Sequence, residues 1–213
     1  MIRFIKHIAR TCGLLCSVFA LQKLTENMKA ALNYFYSGVV ARRFHSFGKD
    51  SVIAYKLFRV RGSKLISIGV RTEIDKGARL TAWKSGDSSK SPVIKIGNDC
   101  KIGACVHITA INGVSIGDNL LTGTNVLITD NSHGFTDKKT LELPPHGREV
   151  VSKGKVKIGN NVWIGNNVCV LPGVTIGDGV VVGANSVVTK DIPDYCVAVG
   201  NPAVVVKNSN INS

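Results

Sequence analysis

Residues 158–188 read IGNNVWIGNNVCVLPGVTIGDGVVVGANSVV, and this stretch decides the fold. A β-branched residue recurs at every sixth position, namely at Ile158, Ile164, Val170, Ile176, Val182 and Val188. Neither an α-helix nor a hairpin strand has a period of six. A short strand with a two-residue turn has that period when three such faces close a triangular coil of about eighteen residues. The stretch therefore predicts stacked coils of a parallel β-helix with the β-branched residues inside.

The same period extends upstream of this stretch, with interruptions. It is present at Ile68-Gly69 and again at Ile116-Gly117, breaks at residue 130 and resumes at residue 158. A β-helix can extrude a long excursion without disturbing its ladder, and excursions of this length are usually functional. We therefore expect a β-helix domain at 51–207 with an extruded loop at 130–155, followed by a flexible tail at 208–213.

The first fifty residues show a different pattern. From Met1 to about Ser46 the apolar residues recur at intervals of three and four, which predicts two helices, with Thr25 as a candidate cap of the second. Residues 1–50 therefore form an α-helical N-terminal extension, and they hold eight Lys or Arg against Glu26 and Asp50.

The apolar run at 12–21 is short for a helix that spans a bilayer. We expect a cytoplasmic helix that lies on other protein or peripherally on the inner face of the membrane. A cleaved signal peptide, with Val18-Phe19-Ala20 at the cleavage site, is the alternative.

Composition narrows the classes of partner. The formal net charge of +13 favours anionic partners such as phosphates, acidic sugars or a membrane surface. The sequence has no zinc-finger spacing and no aromatic residues interleaved with basic ones, so nucleic acid is not expected. The six cysteines form no C-x-x-C pair and lie mostly in apolar runs. They are interpreted as reduced, buried thiols of a cytosolic protein.

Four segments strongly resemble the hexapeptide-repeat acyltransferases, and they occur in that family's order. They are IGNNVWIG at 158–165, LPGVTIG at 171–177, VGANSVVTKDIP at 182–193 and GNPA at 200–203. The resemblance covers about residues 65–207 and implies an all-β solenoid, a left-handed parallel β-helix, commonly assembled as a homotrimer with active sites between subunits. Period alone does not give handedness, and the general crossover rule would favour a right-handed coil.

Two further stretches narrow the resemblance. HITAIN at 107–112 and DNSHGF at 130–135, together with the helical extension, look closer to bacterial lipopolysaccharide and capsule O-acetyltransferases. The C-terminal motifs are shared with maltose and galactoside O-acetyltransferases. The resemblance implies an acetyl-CoA-dependent O-acetyltransferase that acts on a sugar hydroxyl, free or lipid-linked, and that requires no metal.

His133 is the candidate catalytic residue. A hydroxyl that attacks a thioester needs a base near neutral pH, and imidazole has the matching proton affinity. His133 lies in the excursion and aligns with the family's catalytic histidine. Asn125 and Asp130 are the candidate substrate-binding residues. Asn125 matches an acceptor-contacting asparagine, or is a coil-corner asparagine, and Asp130 either orients the imidazole or starts a turn.

The resemblance also implies the donor site. It places five residues along a CoA-binding groove between neighbouring subunits, namely Trp163, Asn166, Ala184, Thr189 and Lys190. Lys190 suits a phosphate, whereas Trp163 also suits subunit packing. In the family the chain after Asn-Pro-Ala usually presents arginines toward the CoA phosphate. Here Val204 replaces one of them and Lys207 remains.

Three alternatives stay open. The same scaffold and base would serve N-acetylation of an amino sugar or antibiotic. A hexapeptide carbonic anhydrase needs three histidines around zinc, and His107, His133 and His146 would have to supply them, although the paired spacing typical of that group is absent. Otherwise, His107 is expected to face outward from the coil or lie at a turn, and His146 to help the loop fold. A β-helix that has lost its chemistry is the third alternative.

Overall fold

The structure is a computed structural model and describes residues 2–55, 59–83 and 92–209. Most of the tail expected at 208–213 lies outside the described residues. The two α-helices are α1 (Ile2–Ala41) and α2 (Lys138–Leu141), and short 3-10 turns lie at Ser63–Leu65 and Pro145–Gly147. The strands in chain order are β1 (Ser46–Phe47), β2 (Val52–Ile53), β3 (Arg59–Arg61), β4 (Ile66–Ile68), β5 (Glu73–Ile74), β6 (Arg79–Ala82), β7 (Ile94–Ile96), β8 (Lys101–Ile102), β9 (His107–Ala110), β10 (Val114–Ile116), β11 (Leu121–Thr122), β12 (Leu127–Thr129), β13 (Asn131–His133), β14 (Val150–Ser152), β15 (Val156–Ile158), β16 (Trp163–Ile164), β17 (Cys169–Val170), β18 (Thr175–Ile176), β19 (Val181–Val182), β20 (Val187–Val188), β21 (Cys196–Gly200) and β22 (Ala203–Asn208).

Three sheets form the walls of the coil, and their strands are parallel except at one end of face B. Face A has the strand order β1-β4-β7-β10-β15-β18, and face B has the order β2-β5-β8-β11-β16-β19-β21-β22. Face C contains β3, β6, β9, β12, β17 and β20. Successive strands of the chain move from face A to B to C and back, so each strand pairs with the strand one coil away. The three-sided parallel β-helix and the helical extension that the sequence predicted are confirmed.

The six residues of the quoted ladder all point into the core. Each has an exposed fraction of at most 3%. Their register is the one that the period predicts, since Ile158 pairs with Ile176 on face A and Ile164 with Val182 on face B. Burial of this continuous column of branched side chains is the main favourable contribution to the fold.

Glycine and asparagine have different structural roles at the coil corners. Glycines that follow an inward residue allow close approach: a Cβ at Gly97 would collide with the backbone of Gly117 in the next coil. Left-handed backbone falls instead on residues such as Asn161 (φ 55°) and Asn167 (φ 58°). Close stacking of the coils, and not positive φ, therefore requires glycine at position 97.

The N-terminal extension is one continuous helix, not the two helices expected from the sequence. Thr25 is an interior residue whose Oγ1 donates to the carbonyl of Gln22 at 2.7 Å, so it caps nothing. Without proline, the segment has no residue that removes a backbone hydrogen bond, and the helix continues. The 40-residue helix is long and apolar enough to cross a membrane, by length and composition. The apolar run at 12–21 is one part of this longer helix.

The C-terminal half of α1 covers the first edge of face B. Ser37 Oγ accepts a hydrogen bond from Ile53 N at 2.8 Å, and Asn33 Oδ1 accepts one from Tyr55 N at 2.8 Å. Phe44, just after the helix, is 4% exposed and belongs to the core. These contacts satisfy edge donors that would otherwise pair with another chain.

The opposite end of face B is formed by an antiparallel pair, β21 and β22. Val204, Val205 and Val206 of β22 are exposed, so this end presents an apolar strand to its surroundings.

The cysteines match their expected environment only in part. Cys100 and Cys196 are buried, whereas Cys12 and Cys105 are exposed. Cys105 has φ 59° at a coil corner, where the side chain turns outward despite the apolar neighbours.

Candidate active site

The excursion leaves the β-helix where the chain passes from face C to face A, a position called here the C–A corner. Strand β12 ends at Thr129, and β13 then pairs with β14 in an antiparallel hairpin that places His133 opposite Val150. The imidazole of His133 is exposed and makes no side-chain hydrogen bond within the described part of the chain. His133 is therefore exposed to solvent, while its backbone is held by the pairing of β13 with β14.

The tip of the loop is folded by its own polar contacts. Asp137 caps α2, its Oδ1 accepting from Thr140 N at 3.0 Å, and this bond lowers the pKa of the Asp137 carboxyl. Arg148 donates to the carbonyls of Leu143 (2.9 Å) and Leu141 (3.0 Å). His146 is exposed on the short 3-10 turn. These bonds give the loop a defined shape above the hairpin.

Asp130 has an exposed fraction of 0% and lies beneath the hairpin. Its carboxylate accepts backbone hydrogen bonds from Ile111 N (3.0 Å), Asn112 N (2.7 Å) and Gly113 N (2.5 Å), and one from Asn131 Nδ2 (2.9 Å). No oxygen is free to meet a substrate or the imidazole in this arrangement. Asp130 instead ties the turn of the preceding coil to the first strand of the hairpin.

Asn125 lies at the corner between faces B and C, called here the B–C corner. It has φ 56°, and its Nδ2 donates to Asn167 Oδ1 at 3.3 Å, while Asn167 Nδ2 donates to Asn185 Oδ1 at 3.1 Å. The exposed amide of Asn125 ends this ladder, and its Oδ1 accepts no hydrogen bond from the described residues. Asn125 thus has the structural role of a corner asparagine. Its side-chain oxygen remains available to accept a hydrogen bond from a ligand.

The donor residues expected from the resemblance divide into two groups. Trp163 is 53% exposed on face B, and Asn166 and Ala184 lie exposed at the neighbouring B–C corner. Thr189 and Lys190 are exposed after β20, at the same C–A corner that bears the extruded hairpin. Face C separates the two groups, so a single chain does not bring them together.

Lys207 lies apart from both groups, on β22. It is exposed and pairs with Val197 of β21. Its position at the C-terminal edge of face B is on the side of the coil that carries Trp163.

His107 faces outward on face C, as expected from the inward position of Ile108. Its ring is half-buried, with Nε2 3.2 Å from Thr81 Oγ1. Burial, and secondarily the charge of Arg79, lower the pKa of His107. Among the described residues no three His, Cys, Asp or Glu converge as a metal site.

A cluster of lysines at the foot of the hairpin was missed from the sequence. Lys95, Lys155 and Lys157 line a cavity of about 340 Å³ on face A. The available signal was that two of them immediately precede inward isoleucines of the ladder, Ile96 and Ile158, and therefore point outward on the same face.

Comparison with known proteins agrees with this architecture. A family model described as bacterial transferase hexapeptide (six repeats) matches residues 155–190, and one described as hexapeptide repeat of succinyl-transferase matches residues 93–130. The chain is 38% identical over 154 residues to the putative lipopolysaccharide biosynthesis O-acetyl transferase WbbJ of Escherichia coli K12, covering 71% of this chain and 76% of that protein. The chain belongs to the hexapeptide-repeat acyltransferase family and is an acyltransferase.

Two other relatives match over shorter shares of their length. Galactoside O-acetyltransferase of Escherichia coli K12 is 44% identical over 97 residues, covering 46% of this chain and 45% of that protein. Polysialic acid O-acetyltransferase of Escherichia coli O1:K1 is 32% identical over 163 residues, covering 76% of this chain and 42% of that protein.

Among solved structures, a mutant of the N-acyltransferase AntD from Bacillus cereus, in complex with dTDP and coenzyme A, superposes with a TM-score of 0.64 at 26% identity. That match covers 81% of this chain and 88% of AntD. A hexapeptide-repeat acetyltransferase from Vibrio cholerae complexed with acetyl-CoA matches at 24% identity and a TM-score of 0.57, covering 88% of this chain and 84% of that one, and shows the shared fold.

Proposed function

We propose that this protein is an acetyl-CoA-dependent O-acetyltransferase that modifies a sugar hydroxyl in bacterial surface polysaccharide synthesis, with His133 as general base. The observation that carries the proposal is the exposed imidazole of His133, held on a hairpin whose first strand is anchored by buried Asp130. The named O-acetyltransferases among the relatives support the reaction class.

The chemistry requires no nucleophile from the protein. The acceptor hydroxyl attacks the thioester carbonyl while neutral His133 takes its proton, and the tetrahedral intermediate collapses to the ester. The C–S bond breaks, and the departing thiolate of CoA takes the proton from the imidazolium. Backbone N–H groups are the donors available to an oxyanion. Cys169 is half-buried on face C and has no part in this scheme.

The two groups of donor residues support a shared site. Because Trp163 and Asn166 lie across face C from Lys190, we infer a groove formed by two copies of a homotrimer of left-handed coils. In this groove Lys190 and Lys207 are the candidates for the CoA phosphates, and Thr189 and Ala184 line the path of the pantetheine arm. The complexes of the solved relatives with CoA or acetyl-CoA support this donor.

The acceptor side is assigned to Asn125, with its spare amide oxygen, and Asp130 acts as a positioning residue. The catalytic domain is placed in the cytoplasm, where acetyl-CoA is made, with α1 holding it at the inner face of the membrane. The apolar residues of α1 support a membrane role, because they are not confined to one face of the helix and are exposed along its length.

N-acylation of an amino sugar is the second candidate, and the similarity to AntD favours it. The same base would serve an amine. The two reactions differ only in the acceptor, so a panel of nucleotide-linked sugars with and without an amino group separates them. Faster transfer to the amino sugars would indicate an N-acyltransferase and contradict the O-acetyltransferase assignment.

The deciding experiment is thiol release from acetyl-CoA in the presence of this panel, with His133→Ala beside the wild-type chain. We expect a loss of about 10² to 10⁴ in kcat, because that is the usual contribution of a general base. His45→Ala is the matched control, since His45 is exposed on the first coil, and it should keep full activity. Unchanged turnover in His133→Ala would rule out the proposed base.

A further inference from the structure

Face A presents a column of cations without counter-charges. Lys95 and Lys157 both pair with Ser115, one on each side, so three consecutive strands point these side chains outward in register. With strands about 4.8 Å apart, the two lysine Cα atoms lie roughly 10 Å from each other. Lys155 closes the cavity at the C–A corner, where its carbon chain passes over Gly113.

On face B, in contrast, an outward lysine has an acidic partner. Lys101 pairs with Glu73 in the parallel register, and their charged groups lie 3.9 Å apart. Opposite charges across a strand pair are stabilising, and like charges are not. In the described chain, Lys95, Lys155 and Lys157 form no ion pair with a carboxylate, and no described acidic residue lines their cavity. The three lysines, termed here the lysine pocket, therefore carry positive charge that no described carboxylate neutralises.

Neutral donors complete the lysine pocket. The Ser115 hydroxyl lies between two of the lysines, and Asn112 contributes its side-chain amide at the rim. The Asn112 amide also donates to Ser152 Oγ at 3.4 Å, at the base of the extruded hairpin. The cavity of about 340 Å³ has the size of a small-molecule subsite.

The pocket is connected to the proposed base through the hairpin. Asn112 at the rim of the pocket contacts Ser152, and Ser152 pairs with Asn131 of β13. His133 lies two residues further along β13, roughly 7 Å from Asn131 at about 3.3 Å per residue. An acceptor with an anion in the pocket can thus extend a sugar along the hairpin toward His133.

We propose that the lysine pocket binds the diphosphate of an acceptor in which a nucleoside or lipid diphosphate carries the sugar. Three flexible ammonium groups and two neutral donors suit a group with several anionic oxygens better than a single carboxylate. This assignment to the acceptor rests on the proposed acetyl transfer. Coenzyme A also contains a diphosphate, so the experiment must separate the two sources.

The test is calorimetric titration of the full chain with inorganic diphosphate at low salt, alone and with saturating coenzyme A. The variant is Lys95→Gln combined with Lys157→Gln, and the matched control is Lys101→Gln on face B. We expect the wild-type chain and the control to bind diphosphate alike, and the double variant at least about tenfold more weakly, because two charge-assisted contacts are lost. Coenzyme A should leave diphosphate binding unchanged.

Three results would overturn the proposal. They are absence of diphosphate binding by the wild-type chain, equal binding by the double variant, and displacement of diphosphate by coenzyme A, which would assign the pocket to the donor. Binding is measured without turnover, so it is independent of the His133→Ala assay. Acetyl transfer without diphosphate binding would defeat this inference alone, and binding without transfer would defeat the proposed function alone.

Discussion

Asp130 couples the core of the β-helix to the proposed chemistry. A buried carboxylate is tolerated only when its oxygens are fully hydrogen-bonded, and four donors surround this one. The acceptor contact expected from the sequence would need an exposed oxygen. At the scale of single residues, the site thus depends on a side chain that touches no substrate.

Replacing Asp130 by alanine should cost stability and activity together. Three backbone N–H groups lose their acceptor, and we expect a loss of about 3 to 5 kcal/mol in the free energy of unfolding. Urea denaturation followed by circular dichroism measures it. Asp137→Ala, which removes an exposed cap of the short helix α2, is the control and should cost much less. Equal losses in the two variants would contradict the anchoring role of Asp130.

His107 predicts a dependence of stability on pH. Its pKa is lowered in the folded chain from the ordinary 6.5, chiefly by burial. The unfolded chain therefore binds the proton first as pH falls. The folded state keeps its full stability above about pH 6.5 and loses part of it as pH falls toward the lowered pKa.

The measurement is the melting temperature between pH 7.5 and pH 5, read for the wild-type chain and for His107→Gln. The glutamine variant should show a shallower fall, and His45→Gln, at an exposed histidine, should follow the wild-type curve. Parallel curves for all three proteins would show that His107 does not contribute.

At the scale of elements, the two edge strands of face B, β2 and β22, differ in whether another element covers them. Helix α1 satisfies the first edge through Ser37 and Asn33, whereas β22 leaves an apolar strand exposed at the other. The N-terminal half of α1 packs on nothing within the described chain, and several of its described apolar side chains are exposed, Phe19 at 68%. An element of this kind is stable in water only when something covers it.

We expect α1 to bind the full chain to vesicles that contain anionic lipid. Its N-terminal Arg3, Lys6 and Arg10 match the negative surface, and the apolar residues enter the hydrocarbon. Flotation measures the bound fraction. A Val18→Asp variant should bind at least about tenfold more weakly, whereas Gln22→Asp, with the same added charge at a polar position, should bind nearly as wild type. Equal binding by both variants would indicate that α1 packs on protein instead.

At the scale of the whole molecule, the expected donor groove is split between two corners. Trp163, Asn166 and Ala184 lie on one side of face C, and Lys190 lies with the hairpin on the other. No local rearrangement joins the two corners, because a packed wall of parallel strands separates them. A second copy of the chain supplies the missing half most simply.

Because we propose a homotrimer, light scattering coupled to size exclusion should give three times the chain mass of 22.8 kDa. Mixing experiments extend this test. His133→Ala combined with Trp163→Ala, which alters the opposite side of the groove, should regain part of the activity when unfolded and refolded together, because some mixed sites take both intact residues from different chains. A monomeric mass with full activity would rule out the shared groove.

The β-helix was readable from the sequence because its core repeats locally. Each inward position, such as Ile164 or Val182, is set by a period of six that a short window of the ladder displays, and stacking adds copies of the same contact. The proposed base could also be predicted from the sequence, because His133 lies in the segment where that period breaks.

The tertiary structure alone decided which polar groups meet. Across the excursion, Asn125 lies beside Asn167, 42 residues away, and Ser115 lies beside Lys157. On its other side, Ser115 pairs with Lys95 of the preceding coil. These pairings depend on how many residues each corner inserts, which the period does not encode. The burial of Asp130 and the lysine pocket both follow from those insertions. The sequence by itself determined the ladder and its inward residues, and the three-dimensional stacking of unequal coils decided the surroundings of the site.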